Sequence, residues 1–436
     1  MNYHLIKSAF LITLSYGIAL SANNQTLLNN LTRYVQVPDT IKKALDICCA
    51  AEHFSHEPPP FNLSSKERNW PLYRQYPDLM KTLPRVVLCN TPTPVTHLED
   101  CGEQLEINLY IKRDDLTGFK NHFGGNKPRK LETILADAKR HKVNTVITFG
   151  CIGSNHAVAT ADCAQRLGLN CILMLKPQTG SHVVRRNLML MDYFGAEIRY
   201  SPTHALRDLD IANLFLHHAL DYGSFPYVIP TGAETALGAV GYVNAAFELK
   251  EQIDNDALPE PDYIYIATGG FGHPTGLLGA SIAGLVVGLK AAGLSTKVIG
   301  IFTEPKKKQI IEPLLLQQCR ETITLLHDAD PAFPELLITP DDFMIIDDCA
   351  GQGYGMYSPE GIAAITLLKE TEGIHLDGTY TGKAFAGLVR DARAGKLKGK
   401  NVLFWNTFCS HDFKHLLKRR SYKTLPYALH AYFEQY

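Results

Sequence analysis

The chain is predicted to be an α/β protein whose parallel sheets are covered by helices on both faces. Apolar runs of strand length alternate with helix-length runs from about residue 108 onward. The strand runs are nearly continuous in Ile, Val, Leu, Phe and Tyr, as expected of strands buried on both faces. Two of them lead into glycine-bearing turns that open helices, and the carboxyl ends of such strands are where α/β sheets take their ligands.

The elements follow in order. Thr40 to Ala51 is a short helix-like stretch, and Pro58-Pro59-Pro60 ends any helical run because each proline lacks a donor. Residues 1–60 are therefore read as an accessory segment, with the globular part starting near Pro71. Asn108 to Arg113 is the first strand-like run. Pro128 to Arg140 is a helix pattern with proline suited to its first turn. Asn144 to Phe149 is an apolar strand, followed by Gly150 and a helix to Gly168. Asn170 to Leu175, a helix Arg185 to Phe194 and the short strand Glu197 to Tyr200 come next. Tyr263 to Ala267, Lys297 to Phe302 and Asn401 to Trp405 are further buried strands. There is no internal repeat of the length used by solenoids.

Composition bounds the function. Of 436 residues, 45% are hydrophobic and 20% charged, so a large core can form. The formal net charge is −1, and the densest basic stretch, Lys414 to Lys423, reads as a solvated helix face. No nucleic-acid partner is expected on that balance. Ten cysteines in so long a chain, with no CxxC pair, argue against a disulfide scaffold, a zinc ribbon or a redox motif. Residues 1–21 hold one apolar run, Ser8 to Leu20, preceded by Lys7. It is too short for a comfortable span, so no stable membrane span is expected. The run reads either as an amphipathic helix or as a signal peptide cleaved near Ala19-Leu20-Ser21. The cytoplasm is the expected location, with export as the alternative if residues 1–21 are removed.

Four segments carry chemistry. In Gly124-Gly125-Asn126-Lys127-Pro128-Arg129-Lys130-Leu131-Glu132, a lysine follows two glycines at a helix start. Burial, neighbouring cations and the helix-start dipole all favour its neutral form, the form that attacks a carbonyl. A solvent-facing lysine in a capping turn is the plain alternative. Gly150 to Ala157 (GCIGSNHA) follows a strand and opens a helix, where backbone amides suit an anion such as a carboxylate. Ser154 and Asn155 add side-chain donors, or serve as caps; His156 is read as packed or capping. Thr268-Gly269-Gly270-Phe271-Gly272-His273-Pro274-Thr275-Gly276 is a glycine-rich turn able to cradle a phosphate. It matches neither a Walker loop nor a dinucleotide fingerprint. The fourth group contains Tyr354, in Gly353-Tyr354-Gly355, and Tyr380, in Thr379-Tyr380-Thr381-Gly382-Lys383. Such tyrosines move protons or stack on a substrate, or simply pack.

Together these segments resemble the family of 1-aminocyclopropane-1-carboxylate deaminase and D-cysteine desulfhydrase, which has the tryptophan-synthase-β-like (fold type II) architecture of pyridoxal-phosphate enzymes. The resemblance runs from about Leu83 to Phe413 and is strongest in KRDDLTG (Lys112 to Gly118), GGNKPRKLE and TVITFG-CIGSNHAVATA. It implies two three-layer αβα domains: a large one from residues 61–129 and 236–436, and a small one, 130–235, inserted between them. It also implies a homodimer, a small amino-acid substrate and pyridoxal 5'-phosphate carried by Lys127 as a Schiff base. Asn155 then meets the cofactor's phenolic oxygen, and Ser154 the substrate carboxylate. The turn from Thr268 and Gly269 through Gly270, Phe271, Gly272 and His273 meets the phosphate. Tyr354 and Tyr380 match the two active-site tyrosines.

Two positions separate the subtypes. The deaminases carry a glutamate facing the pyridine nitrogen where this chain has Thr381, and a leucine where it has Thr407. A charge-assisted hydrogen bond is worth about 1.5–3 kcal/mol, or roughly one to two decades in rate. Opening a cyclopropane needs that stronger electron sink more than expelling a thiolate does. Both threonines therefore point to desulfhydrase-type β-elimination, with D-cysteine giving pyruvate, sulfide and ammonia. The alternatives are deaminase activity, another eliminase or racemase acting on D-serine-like substrates, and a degenerate member that binds cofactor or amino acid without turnover. The last is motivated by departures from the family pattern. Gly270 and His273 replace hydroxyl donors, Pro274 removes an amide, Phe408-Cys409 replaces two glycines, and two extra residues lie between Gly118 and Gly124. A nicotinamide oxidoreductase lacks the acid that follows a fingerprint loop.

Overall fold

The structure is a computed structural model that describes residues 69–203, 210–211, 213–215, 217–218, 220, 222, 225–269, 279–305, 308–353 and 355–434. The accessory segment 1–60, the glycine-turn residues Gly270, Phe271, Gly272 and His273, and Tyr354 lie outside the described residues.

Among the described residues, ten strands make two sheets. The larger has the order β1 (Val95–His97), β2 (Asn108–Lys112), β10 (Asn401–Trp405), β7 (Tyr263–Thr268), β8 (Lys297–Phe302) and β9 (Phe343–Ile346). The smaller has the order β5 (Glu197–Tyr200), β4 (Asn170–Lys176), β3 (Thr145–Cys151) and β6 (Tyr227–Ile229). All pairings are parallel except one: β1 runs antiparallel to β2 at the edge of the large sheet. The sequence reading expected parallel sheets throughout and passed over β1, β6 and β9. Strands of three or four residues offer little room to set up a period, and of those this short only Glu197 to Tyr200 was read.

The helices that bear on the site are α1 (Asn126–Arg140), α2 (Asn155–Arg166), α3 (His182–Tyr193), α4 (Ala236–Asp254), α5 (Ala280–Ala291), α6 (Lys308–Ala329), α7 (Pro359–Glu372) and α8 (Thr381–Arg393). Alternation along the strands sorts the layers. Ile264, Ile266, Val298, Leu403 and Trp405 face a core shared with α4, α5 and α6. Tyr265, Ala267, Ile299, Ile301, Val402 and Phe404 face a second core shared with α7 and α8. In the small sheet, Val146, Leu173 and Leu175 pack with α1, α2 and α3, while Ile147, Ile172 and Met174 meet Ile211, Leu214 and Phe215 on the other side. Each sheet is thus the middle of three layers.

Two boundaries differ from the sequence reading. Strand β3 continues through Gly150 and Cys151, which pair with Leu175 and Lys176 of β4. The sequence reading ended the strand at Phe149; Gly150 continues it and leaves room, since a Cβ there would lie 2.8 Å from the Ser154 side chain. Helix α3 begins at His182 rather than Arg185, because the Ser181 hydroxyl accepts from the Val184 amide and caps it.

The KRDD and NKPRK motifs meet in a buried charge cluster. The Arg129 guanidinium donates to both Asp114 oxygens at 2.8 and 3.0 Å and to both Glu248 oxygens at 3.0 Å. Lys112 Nζ donates to Glu248 at 2.6 Å. Tyr242 Oη and Trp405 Nε1 both donate to Asp114, at 2.9 and 2.7 Å. All four charged side chains are at most 3% exposed. Burial alone would push Glu248 upward, but Arg129 and Lys112 override it and hold its carboxyl well below the usual range. The cluster fixes α1 against β2, β10 and α4, and so fixes where α1 begins.

Candidate active site

Lys127 is the second residue of α1. Gly125 caps that helix at φ 83°, a left-handed value that glycine adopts without strain. A Cβ on Gly125 would stand 2.6 Å from the Thr407 carbonyl oxygen and 3.0 Å from that of Phe408. The Asn126 amide donates to the same Thr407 carbonyl at 3.2 Å, and the Gly124 amide to Cys409 Sγ at 3.1 Å. The turn after β10 is therefore pressed against the start of α1, and Thr407 is brought to the neighbourhood of Lys127.

Lys127 retains partial exposure, yet the protein around it is dense enough that burial, followed by the charge of Lys130 one turn on, pulls its amine down to about 7. Lys130 is itself held in place by two acceptors. Its Nζ donates to Glu234 at 2.7 Å and to the Gly232 carbonyl at 3.1 Å. The second Glu234 oxygen accepts the Ala280 amide at 2.6 Å, at the first residue of α5. Glu234 thus ties the helix that follows the glycine-rich turn to the cation beside Lys127. Nothing short-range in the sequence marked Glu234; the Lys127–Lys130 spacing was the visible half of the arrangement.

After β3, Ser154 caps α2 by accepting the Ala157 amide at 3.2 Å. The cap reading is correct for this residue, and its carboxylate-binding role rests on the resemblance. Asn155 opens α2, and its side-chain oxygen accepts Asn187 Nδ2 at 3.0 Å. Asn187 also donates to the Gly153 carbonyl at 2.8 Å and is fully buried. The Asn155 oxygen is therefore committed, and its amide nitrogen is the end left to donate. Asn187 was missed from sequence because its role is to orient another side chain. His156 is packed, as read. Its Nε2 meets Thr148 Oγ1 at 2.9 Å, and that hydroxyl donates to the Ile229 carbonyl. Burial first, then Lys127 and Lys130, hold the imidazole well below its ordinary range, so it is neutral.

On the large-sheet side, Thr268 ends β7, and its carbonyl accepts the Thr303 amide at 2.9 Å and the Thr303 hydroxyl at 3.1 Å. A Cβ on Gly269 would meet Thr303 Oγ1 at 2.7 Å and the Tyr380 ring at 3.2 Å. Tyr380 therefore stands at the entrance of the glycine-rich turn. Thr381 is fully buried, and its hydroxyl donates to Asp377 Oδ2 at 2.7 Å while accepting the Asp377 amide at 2.9 Å. Asp377 also takes the amides of Thr379 and Tyr380 at 2.8 and 2.7 Å. This carboxylate organises the start of α8 and was not singled out from the sequence. Lys383 Nζ donates to the carbonyls of Thr303, Ala350 and Gly353 at 3.2, 2.6 and 2.9 Å. That lysine is committed to three backbone carbonyls.

Of the described members of the site, Ser154, Asn155, Thr268, Gly269 and Thr407 stand at carboxyl ends of parallel strands or at the helix start that follows, Lys127 opens α1, and Tyr380 and Thr381 stand at the start of α8, which follows α7. A neutral amine, an amide aimed to donate and a glycine where a side chain would collide make a set that fits a flat, phosphorylated aldehyde such as pyridoxal phosphate. Residues 86–407 match the family described as "Pyridoxal-phosphate dependent enzyme".

The chain belongs to the pyridoxal-phosphate dependent enzyme family.

Its cofactor is accordingly pyridoxal phosphate. Among curated proteins, the chain is 34% identical over 333 residues to "D-cysteine desulfhydrase" of Klebsiella pneumoniae (strain 342), covering 74% of this chain and 93% of that protein. It is 35% identical over 311 residues to the protein of the same name from Salmonella schwarzengrund (strain CVM19633), covering 70% and 88%. Among solved structures, an "ACC deaminase homologue" superposes with a TM-score of 0.63 at 31% identity, over 78% of this chain and 97% of that one. The processed form of threonine deaminase isoform 2 from Solanum lycopersicum, at 18% identity and a TM-score of 0.51 over 82% and 89% of the two chains, shares the fold. These likenesses bear out the fold type II expectation. No helix among the described residues is long and apolar enough to cross a membrane.

Proposed function

We propose that this enzyme eliminates the β-substituent of a small amino acid, with D-cysteine and water giving pyruvate, sulfide and ammonia. The observation that carries the reading is the Lys127 amine, drawn down to about 7 at the start of α1 beside Lys130. An amine of that strength is free to act as a base at neutral pH. The names of the bacterial relatives supply the substrate.

Lys127, Asn155, Thr268, Gly269, Thr381 and Thr407, with the turn through Gly270, Phe271, Gly272 and His273, are the residues that would hold the cofactor. Bound pyridoxal phosphate supplies an electron sink for negative charge at the substrate's α-carbon. Ser154 and the amides at the start of α2 bind the substrate carboxylate, helped by the dipole of that helix. Neutral Lys127 takes the α-proton. Tyr380, or Tyr354, gives a proton to the departing thiolate. Asn187 keeps the Asn155 amide turned to donate, and Glu234 fixes the position of Lys130, whose charge draws the Lys127 amine down. Thr381 replaces the deaminase glutamate with a hydroxyl already bonded to Asp377. That supports thiolate expulsion over ring opening. The homodimer and the cytoplasmic location implied by the family resemblance belong to this proposal; sedimentation of the purified chain and fractionation of cells test them.

The test is a visible spectrum of purified protein before and after D-cysteine, with pyruvate assayed on the same sample. A band that shifts, together with pyruvate, is the expected result. A band without pyruvate rules out the substrate and leaves the cofactor. The likeness to an ACC deaminase homologue makes 1-aminocyclopropane-1-carboxylate the second substrate to assay, and greater turnover on it would displace D-cysteine.

A further inference from the structure

Gln178 lies in the turn between β4 and α3, and the reading above gives it no role. Its Oε1 accepts the Gly153 amide at 3.2 Å. The Gly153 carbonyl accepts Asn187 Nδ2 at 2.8 Å. Both backbone polar groups of the residue before Ser154 are therefore held by side-chain amides, one from the turn before α3 and one from α3 itself. A Cβ on Gly153 would stand 2.8 Å from Gln178 Oε1 and 3.1 Å from Nε2. The Gln178 amide thus takes the room that a side chain at 153 would fill. A Cβ on Gly355, which follows β9 of the large sheet, would stand 3.1 Å from the same Nε2. The amide group is slotted between two glycines, one after β3 and one after β9.

The Gly153 N–H must face an oxygen, which fixes which end of the Gln178 amide is which. Nε2 is then the end left to donate where the segments after β3 and β9 meet, and among the described residues it has no acceptor. Gln178 is half-buried, and donors withdrawn from water are ordinarily partnered. A carboxylate fits this donor because Gln178 is anchored on the residue preceding Ser154, so its amide keeps register with the start of α2. Hydrogen bonds to an ionised group are also stronger than those between neutral groups. We infer that Gln178 is a further substrate-binding residue, its Nε2 donating to the amino acid's carboxylate beside Ser154. Recognition of that group then draws on the turn before α3 as well as on the start of α2. The inference rests on the carboxylate docking at Ser154 proposed above.

D-alanine and D-alaninamide differ in that a neutral amide replaces the carboxylate, and neither carries a thiol to expel. Their dissociation constants on the holoenzyme, measured by calorimetry at neutral pH, isolate that group. The wild type is expected to prefer D-alanine. Gln178→Leu keeps the bulk and drops the donor, and should lower the preference about 10-fold. Gln178→Glu keeps an oxygen for the Gly153 amide but sets a negative charge beside the carboxylate, and should lower it about 100-fold. A preference that either variant retains in full, or a loss that falls equally on the two ligands, would overturn the inference and leave Gln178 as a brace for Gly153. A wild type with no preference for D-alanine would remove the carboxylate docking itself, and the inference with it. Pyruvate release from D-cysteine on the same preparations reports separately on the elimination chemistry, so failure of one reading is distinguishable from failure of the other.

Discussion

At the residue scale, the chemistry depends on one amine being neutral where most lysines are charged. The causes are local: dense surroundings and a second cation at i+3. The sign follows directly. An ordinary lysine is half-neutral near 10.4, whereas Lys127 is half-neutral near 7. In cofactor-free protein, competitive labelling with an amine reagent should therefore modify Lys127 at a rate that rises through pH 7 and levels off by about pH 8. The surface lysines should continue to gain reactivity to much higher pH. Mass spectrometry of the labelled peptides reads both, and a Lys127 profile that parallels the surface lysines would contradict the local electrostatics. Glu234→Gln keeps the shape but removes the charge that pairs with Lys130. The Glu234 carboxylate also favours the charged Lys127 amine, so this variant should move the Lys127 profile to lower pH, while Thr82→Ala, remote from the site, should not. Lys127→Ala should abolish both the visible band and turnover. This part of the site was legible in sequence because its determinants are close along the chain: glycines, a lysine and a further lysine within one motif. Asn187, Glu234 and Asp377 were not. Each acts through a partner brought near by folding, and nothing within ten residues of Glu234 announces Lys130 or Ala280.

At the element scale, the packing of α4 against its neighbours decides the geometry of the site. A Cβ on Gly241 would stand 2.1 Å from the Arg129 carbonyl oxygen, and one on Gly284 2.4 Å from the Ala239 carbonyl oxygen. These are backbone atoms in helices, so neither contact is relieved by a rotamer change. Gly284→Ala should separate α4 from α5 and lower stability by about 1–3 kcal/mol, the usual range for overpacking. The measurement is a denaturant midpoint at unchanged slope. Because α5 begins at the residue whose amide Glu234 holds, the same variant should weaken cofactor retention on dialysis. Gly373→Ala is the control: its site at φ 67° ends α7 with nothing within 4 Å of a new Cβ. It should show only the strain of a left-handed backbone and leave the cofactor in place. The long strands and the main helices were readable as periodic runs. Their ends were not, because the ends are set by capping hydroxyls such as Ser181 and by how far a neighbouring strand extends, as at Cys151.

At the scale of the whole molecule, the two sheets are joined through α1, and the buried charge cluster at its root carries that junction. Arg129 of α1, Asp114 after β2, Glu248 of α4 and Trp405 of β10 come from segments far apart in the chain. Strand order in the large sheet places β10 between β2 and β7, so the last strand completes the cluster. The KRDD motif was legible as a signature but not as a structural keystone, because Tyr242, Glu248 and Trp405, which complete the cluster around Asp114 and Lys112, lie more than a hundred residues downstream. Removing one member of such a cluster leaves an unpaired buried charge, which typically costs about 3–5 kcal/mol. Glu248→Gln provides the sharpest version. In the folded chain the Glu248 carboxyl is held far below its unfolded value. Its contribution is therefore fully present above the ordinary carboxylate range, near pH 4.3, and is lost as pH falls through the folded value. The stability difference between wild type and Glu248→Gln should thus be largest at pH 6 to 7 and should shrink steadily as the pH is lowered below about 4. Denaturant titrations of both proteins across that range measure it, with Trp405 fluorescence following the cluster itself. A difference that stays constant with pH would mean that Glu248 acts through its shape and hydrogen bonds rather than its charge, and the cluster would then be a packing feature instead of an electrostatic one.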